Sequence, residues 1–338
     1  MNVSIIGLDL AKSVFQVHGV AASGDVVLRK RLRRGEMLRF FAGLEPCVVG
    51  IEACGAAHHW SRALQTLGHE VRLIAPSYVK PYVKRGKKND AADAAAICEA
   101  IQRPAMRFVA VKSVEQQGAL MLHRSRDLLV RQRTMLVNAL RGHMAEFGIV
   151  APRGLWHVKA LAALVADETE SRIPAVARPA LRALSDQIAA LAGPIRDIET
   201  AILAWHQAHE ASRRLATIPG FGPLVASGIA ATIGDGRQFR SGRDFAAWLG
   251  LVPRQNSTGG KERLGRISKM GDRYLRRLLV IGATARLRYA GRKAAPDGAW
   301  INQLLARRPP RLVTVALANK MARTAWALMA HGDVYRAA

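Results

Sequence analysis

The sequence is short of acid, of paired cysteine and of long apolar runs, and each shortage excludes something. Asp and Glu together number 25 against 51 Lys and Arg, a formal net charge of +26. Self-repulsion on that scale calls for a polyanion as the usual partner, and nucleic acid is the first expectation. An anionic membrane is the competitor. No apolar stretch reaches the roughly 18 residues needed to span one, and Met1 leads directly into a strand-like segment without a secretory leader pattern, so no membrane partner is expected. Cys47, Cys54 and Cys98 are odd in number and lack the close pairing of a zinc ribbon or redox motif, which points to reduced thiols in a cytoplasm. Apolar residues are not scarce: at 50 % of 338 residues they suffice for two or three domains, each with its own core.

The first part alternates as a sheet would. Val3 to Leu10, Val14 to Val20 and Val26 to Leu28 read as three strands of a meander, the last two joined across an Ala-Ser-Gly-Asp turn. Cys47 to Ile51 reads as a fourth strand, a helix runs through Trp60, Leu64 and Leu67, and Val71 to Ile74 closes a β-α-β unit. Hairpin-linked strands followed by α/β alternation is the order of a ribonuclease H-like α/β domain. A basic loop with Lys84, Arg85, Lys87 and Lys88 then leads to Asn89, a good N-cap, and to an Ala-rich helix from Asp90 to Ile101. The domain is expected to span residues 1–110 and to touch nucleic acid through that loop.

Residues 111–210 read as a helical coiled-coil linker. Val114 to Phe147 is helical and basic, with Leu128, Met135, Leu136, Leu140 and Met144 as apolar contacts. Further on, Leu181, Leu184, Ile188, Leu191, Ile195, Ile198 and Ile202 recur at alternating spacings of three and four, the a/d pattern of a helix-pairing seam. Gly193-Pro194 predicts a kink or two shorter helices there. An intramolecular hairpin and pairing between chains both satisfy the pattern. Residues 211–338 read as a mostly α-helical domain. It opens on Pro219-Gly220-Phe221-Gly222-Pro223, a turn like that of a helix-hairpin-helix module, where Gly220 and Gly222 either admit a DNA phosphate to a helix N-terminus or are purely architectural.

Four acids stand out against the scarcity of acid. Asp9 lies inside an apolar strand, where an unpaired carboxylate loses several kcal/mol of solvation, so something must compensate it. Glu52 ends the fourth strand, which the meander order places beside the first. Asp90 and Asp93 are three apart on one helix and share a face. Carboxylates gathered together repel and take up protons unless a cation sits among them. Oxygen donors select Mg²⁺ or Mn²⁺, and a pair of such ions assists phosphoryl transfer. Taken singly, Glu52 has the alternative of a solvated strand end, and Asp90 that of a first-turn acid favoured by the helix dipole; the joint pattern points to metal. His58 and His59 read as surface or packing residues rather than ligands.

Near the other end, Ser257-Thr258-Gly259-Gly260 is ringed by Arg254, Lys261, Arg263, Arg266 and Lys269, and a basic helix follows with Arg273, Arg276 and Arg277. Glycines let backbone approach a phosphate, cations neutralise it, and a central hydroxyl can attack phosphorus. A passive phosphate grip explains the same residues. No neighbouring general base is evident.

Gly-Leu-Asp-Leu-Ala-Lys around Asp9, Ile-Glu-Ala-Cys-Gly around Glu52, Lys-Asn-Asp-Ala-Ala-Asp-Ala around Asp90 and Asp93, and Pro-Arg-Gln-Asn-Ser-Thr-Gly-Gly-Lys around Ser257 are similar to one family. The chain resembles the DEDD transposases of a bacterial insertion-sequence family whose members act as bridge-RNA-guided recombinases. The likeness covers roughly residues 1–147 and 213–285. It implies a RuvC-like N-terminal domain, a coiled-coil linker used in oligomerisation, and a C-terminal transposase domain with a serine nucleophile. It further implies Mg²⁺ on Asp9, Glu52, Asp90 and Asp93, and a covalent DNA link at Ser257. Tetramers assembled on a structured noncoding RNA that pairs with donor and target DNA are implied too, with active sites composed from different subunits. Family members often carry a second serine where Thr258 stands here, so Thr258 is the alternative nucleophile. Two other readings remain open at this level: a metal-dependent nuclease of junction-resolvase type, and a non-enzymatic basic nucleic-acid-binding protein.

Overall fold

The computed structural model describes residues 2–83, 89–290 and 298–336. The chain divides into two compact units, Met1–Val114 and Glu115–Ala338.

The first unit is built on a six-stranded sheet in the order β3-β2-β1-β4-β5-β6. Its strands are β1 (Ile5–Leu10), β2 (Val14–Val20), β3 (Val26–Arg33), β4 (Val48–Glu52), β5 (Glu70–Ile74) and β6 (Phe108–Val109). The first three form the antiparallel meander, β4 and β5 add in parallel beside β1, and β6 closes the far edge antiparallel to β5. This is the ribonuclease H-like order expected from the sequence. The third strand runs five residues past the predicted Leu28, to Arg33, because an edge strand can point a row of cations into water while its other face stays apolar. Among the described residues four α-helices accompany the sheet: α1 (Met37–Ala42), α2 (Ala57–Thr66), α3 (Pro76–Val79) and α4 (Asp90–Ala100).

Strand alternation divides the work of the two faces. Ile6, Leu8, Phe15, Val17, Leu32, Val49 and Ile51 pack with Met37 and Phe41 of α1 and with Trp60 and Leu64 of α2. Phe15 meets Trp60 edge to face at 5.2 Å. On the opposite face α4 lies across β1, β2 and β4. Gly7 and Gly50, paired in register, make that possible. A Cβ on Gly7 would stand 2.1 Å from the Ala94 carbonyl oxygen, and one on Gly50 would stand 2.6 Å from the Ile101 side chain. The helix therefore rests on bare backbone.

The second unit is helical: α5 (Val114–Ala145), α6 (Val158–Ala166), α7 (Arg178–Ala190), α8 (Ala192–Ala208), α9 (Glu210–Ala216), α10 (Pro223–Ile233), α11 (Gly242–Trp248), α12 (Arg273–Ala290), α13 (Gly298–Leu305) and α14 (Pro310–His331), with the ribbon β7 (Pro253–Gln255) and β8 (Leu264–Ile267). The predicted interruption of the long seam falls at Leu191, where α7 gives way to α8. Leu181 of α7 is buried in one small core with Val137, Leu140 and Met144 of α5 and Leu161 and Val165 of α6, and Leu184 and Ile188 pack against it. Leu128 and Met135 are 48 % and 71 % exposed, and with Met121 they recur every seven residues along an uncovered stripe. The larger core joins α9 to α14 around Phe245, Leu279 and Leu317. Buried His123 ties α5 to it through Tyr274 Oη at 2.8 Å and Ser227 Oγ at 3.0 Å, and desolvation holds its pKa down at about 4. Among the described residues no helix is long and apolar enough to cross a membrane.

Candidate active site

Asp9 and Glu52 reach the α4 face by register alone. Gly7 pairs with Gly50 and Leu8 with Ile51 in the parallel ladder, so one further step sets Asp9 beside Glu52 on the same face as the two glycines. The helix comes to them from above. Asn89 caps α4, accepting the Ala92 N–H at 2.8 Å, and its first turn carries Asp90 and Asp93. Gly7 lies under Ala94 and Cys98. The strand then runs on towards the helix start, which brings the Asp9 carboxylate towards that acidic first turn.

The electrostatics register the gathering. The Asp9 carboxyl is pushed up to about 6, first by burial and then by Asp93, Asp90 and Glu52, against a bond from the Leu10 N–H that favours the charged form. Asp9, Glu52 and Asp93 are half-buried and Asp90 is exposed. The field reaches the exposed Cys54, whose thiol is raised by burial, Glu52 and Asp9. Sequence reasoning set this cysteine aside with the other two, although its place two residues past Glu52 was the available signal. Among the described residues, however, no three side chains of His, Cys, Asp or Glu stand close enough to hold one metal ion. The acids share a field rather than a coordination shell. Their chemistry fits a divalent cation nonetheless, since all four donors are hard carboxylate oxygens and the strain on Asp9 is the uncompensated negative charge that such a cation relieves.

The serine segment, read from sequence as a loop, is a β-hairpin. Pro253 pairs with Ile267 and Gln255 with Leu264, and Thr258 and Lys261 bridge across a two-residue turn. Gly259 and Gly260 take φ of +55° and +75°, the left-handed pair that matches the twist of a tight hairpin. Ser257 is exposed beside this turn, its Oγ accepting the Arg263 N–H at 3.4 Å. Arg254, Lys261, Arg263, Arg266, Lys269 and Arg273 are exposed around it. Arg276 and Arg277 are engaged elsewhere. The Arg276 guanidinium donates to the Leu249 and Met270 carbonyls at 2.8 Å each and so clamps the hairpin base, while Arg277 pairs with Asp127 and lies over the Tyr274 ring.

The other sequence-marked residues fall into three groups. Lys84, Arg85, Lys87 and Lys88 lie outside the described residues. Gly220 turns at φ +90° against α12, where a Cβ would meet the Gly282 carbonyl at 2.9 Å, so its lack of a side chain serves packing. Gly222, which caps α10, has open space around it and leaves that helix N-terminus accessible. His58 packs through its ring, Nδ1 accepting the Lys112 N–H at 3.2 Å, and His59 lies edge-on to Trp60 at 5.1 Å.

The chain is similar to known transposases over nearly its whole length. The family model for DEDD transposases of the IS110 group, described as "Transposase", matches residues 6–149, and the one described as "Transposase IS116/IS110/IS902 family" matches residues 212–296. The "Probable family 20 transposase" of Pseudomonas aeruginosa is 52 % identical over 99 % of this chain and 99 % of its own length. "Putative transposase y4pF/y4sB" of Sinorhizobium fredii is 49 % identical over 98 % of this chain and 86 % of its own length. The "Transposase for insertion sequence element IS1328" of Yersinia enterocolitica is 43 % identical over 99 % of each chain.

Proposed function

This chain belongs to the IS116/IS110/IS902 family of transposases, and we propose that it cuts and rejoins DNA through Ser257, assisted by a Mg²⁺- or Mn²⁺-binding site on Asp9, Glu52, Asp90 and Asp93. The supporting observation is the Asp9 carboxyl, raised to about 6 by burial first and then by Asp93 and Asp90 of α4 and Glu52 of β4. A bound divalent cation supplies charge neutralisation and Lewis acidity at the phosphate.

In this reading the chain's own residues act as follows. The Ser257 oxygen attacks the scissile phosphorus, forming an O–P bond as the bond to one DNA oxygen breaks, and that oxygen leaves with a proton. The free hydroxyl of the incoming strand then attacks the phosphoserine, restoring the serine and joining the new strands. Arg254, Lys261, Arg263, Arg266 and Lys269 balance the charge of the five-coordinate phosphorus. The exposed glycine turn lets the phosphate approach without steric obstruction.

The remaining expectations belong to the same proposal: a structured guide RNA that selects donor and target DNA, a cytoplasmic site of action, and assembly of dimers into tetramers. The net charge of +26 supports nucleic-acid partners, and the seven-residue stripe of Met121, Leu128 and Met135 supports pairing through α5. The division into a catalytic domain of residues 1–110, a linker of residues 111–210 and a C-terminal domain of residues 211–338 is retained as part of this reading.

The test is incubation of purified protein with DNA carrying the element's ends, with and without co-expressed RNA, followed by denaturing separation of covalent complexes. A protein–DNA adduct that disappears in Ser257→Ala supports the proposal. An adduct that persists in that variant transfers the role to another residue, and free cut ends without any adduct point to hydrolysis instead.

A further inference from the structure

The acid face of the sheet does not end at Asp9. In the antiparallel ladders Asp9 pairs with Gln16 and Gln16 with Arg31, while Gly7 pairs with His18 and His18 with Arg29. Two cross-strand rows therefore run from the acid site to the edge of the sheet: Glu52, Asp9, Gln16, Arg31, and beside it Gly50, Gly7, His18, Arg29. Alternation keeps both rows on the α4 face, because Phe15, Val17 and Leu32 occupy the other. Lys30 also goes to that other face, 4.9 Å over the Phe40 ring.

Between these rows and α4 lies an open groove of about 440 Å³. Gln16, His18, Arg29 and Arg31 line one side, and the small side chains of Ala91, Ala92 and Ala95 line the other. Arg29 and Arg31 are exposed, and among the described residues neither forms a salt bridge. His18 is held below its ordinary pKa by burial and by Arg29, so it is neutral near pH 7 and offers ring nitrogens to a polar ligand.

We propose that this groove seats the phosphodiester backbone of a nucleic-acid strand, with Arg29 and Arg31 on successive phosphates, and leads that strand to Asp9. Cations on an edge strand also serve to prevent edge-to-edge pairing, and that role alone would account for Lys or Arg anywhere along β3. It does not account for one arginine in the row of the acids and a second in the row beside it, both on the face opposite a helix wall stripped to alanine. Arg29 and Arg31 are two residues apart on one face of β3, about 6.6 Å along the strand, a separation that suits successive phosphates of an extended backbone lying beside β3, and alanines leave room for the sugars. The leading of the strand to Asp9 rests on the proposed function; the groove's affinity for backbone phosphate does not.

The experiment places a photoreactive benzophenone side chain at position Ala91, an exposed groove residue, and irradiates the full-length protein with single-stranded DNA, duplex DNA or structured RNA. Crosslinking to one of the three is expected, and which one identifies the strand. Adding Arg29→Glu and Arg31→Glu should reduce crosslinking at least about tenfold, and Arg29→Ala with Arg31→Ala should lower the salt slope of binding by roughly 1.4 to 1.8. Strand cleavage is measured in parallel, with Asp9→Asn as the comparison. Loss of cleavage in Asp9→Asn with crosslinking unchanged by charge reversal overturns the groove and leaves the acid site standing. Loss of crosslinking on charge reversal with full cleavage in Asp9→Asn does the opposite. Aggregation of the alanine variants with crosslinking and salt slope intact would assign the arginines to edge protection alone.

Discussion

Asp9 and Ser257 are presented to their surroundings by opposite means. Asp9 is fixed from all sides, within a paired strand, beside Glu52, and beneath a helix that rests on glycine backbone. Ser257 stands at the tip of an exposed two-stranded ribbon whose shape comes from its own turn and from a clamp at its base. Buried packing can hold several like charges at set separations because moving any one of them disturbs a core. An exposed ribbon cannot do that, but it can carry a hydroxyl out to a large ligand. The contrast suits a division in which the sheet contributes a charge arrangement and the hairpin contributes reach.

The largest effects should separate the two regions by product. Ser257→Ala should remove covalent adduct entirely while leaving DNA affinity within about twofold. Asp9→Asn should lower strand cleavage by about 10³-fold with the fold intact by circular dichroism. Cleavage near the wild-type rate in Asp9→Asn would break the comparison, reducing the acid row to structure.

Next comes the mechanical difference. Gly7→Val must push α4 off the sheet and should cost about 3 kcal/mol in urea denaturation, with cleavage lost alongside stability. Tolerance of valine at this position would show that the helix is not seated where the acids require it.

A smaller effect is read from pH. The folded chain keeps the Asp9 proton up to about pH 6, whereas the unfolded chain releases it near 3.8, so the folded state binds more protons between those values. Metal-free stability contributed by this group therefore falls as pH rises through that window. The slope should flatten in Asp9→Asn, and Mg²⁺ should raise the melting temperature of the wild type above pH 6 but not that of the variant. Equal stabilisation of both by Mg²⁺ would place the ion elsewhere. Smallest of all, Gly259→Ala at the hairpin tip should cost about 1 kcal/mol for its left-handed turn, with little change at the acid site.

Much of this was legible from residues alone, and the misses have physical causes. The meander and the β-α-β order follow from alternation and turns, and they suffice to place Asp9 beside Glu52. How α4 sits was not legible, because it depends on two glycines whose meaning appears only when paired in register. Read from the sequence, the third strand ends at Leu28, since Arg29 to Arg33 look like a solvated run until the strand is known to be an edge. Thr258-Gly-Gly-Lys261 carried a hairpin signal that its polar, basic setting obscured. Leu128 and Met135 read as apolar contacts within the chain or between chains, because hydrophobicity says nothing about which of the two supplies the partner surface.

The contact of α4 with Gly7 and Gly50 sets a tolerance for the chemistry above it. Oxygen-to-cation distances are acceptable only within about 0.2 Å, whereas one added methyl at Gly7 would displace the helix by about 1 Å before ordinary van der Waals spacing returned. The gap between the sheet-borne and helix-borne acids is thus gauged by two residues that themselves donate nothing. Under the proposed metal site, efforts to retune it towards a larger or smaller ion would have their coarse adjustment in the floor beneath the helix and their fine adjustment in the carboxylates.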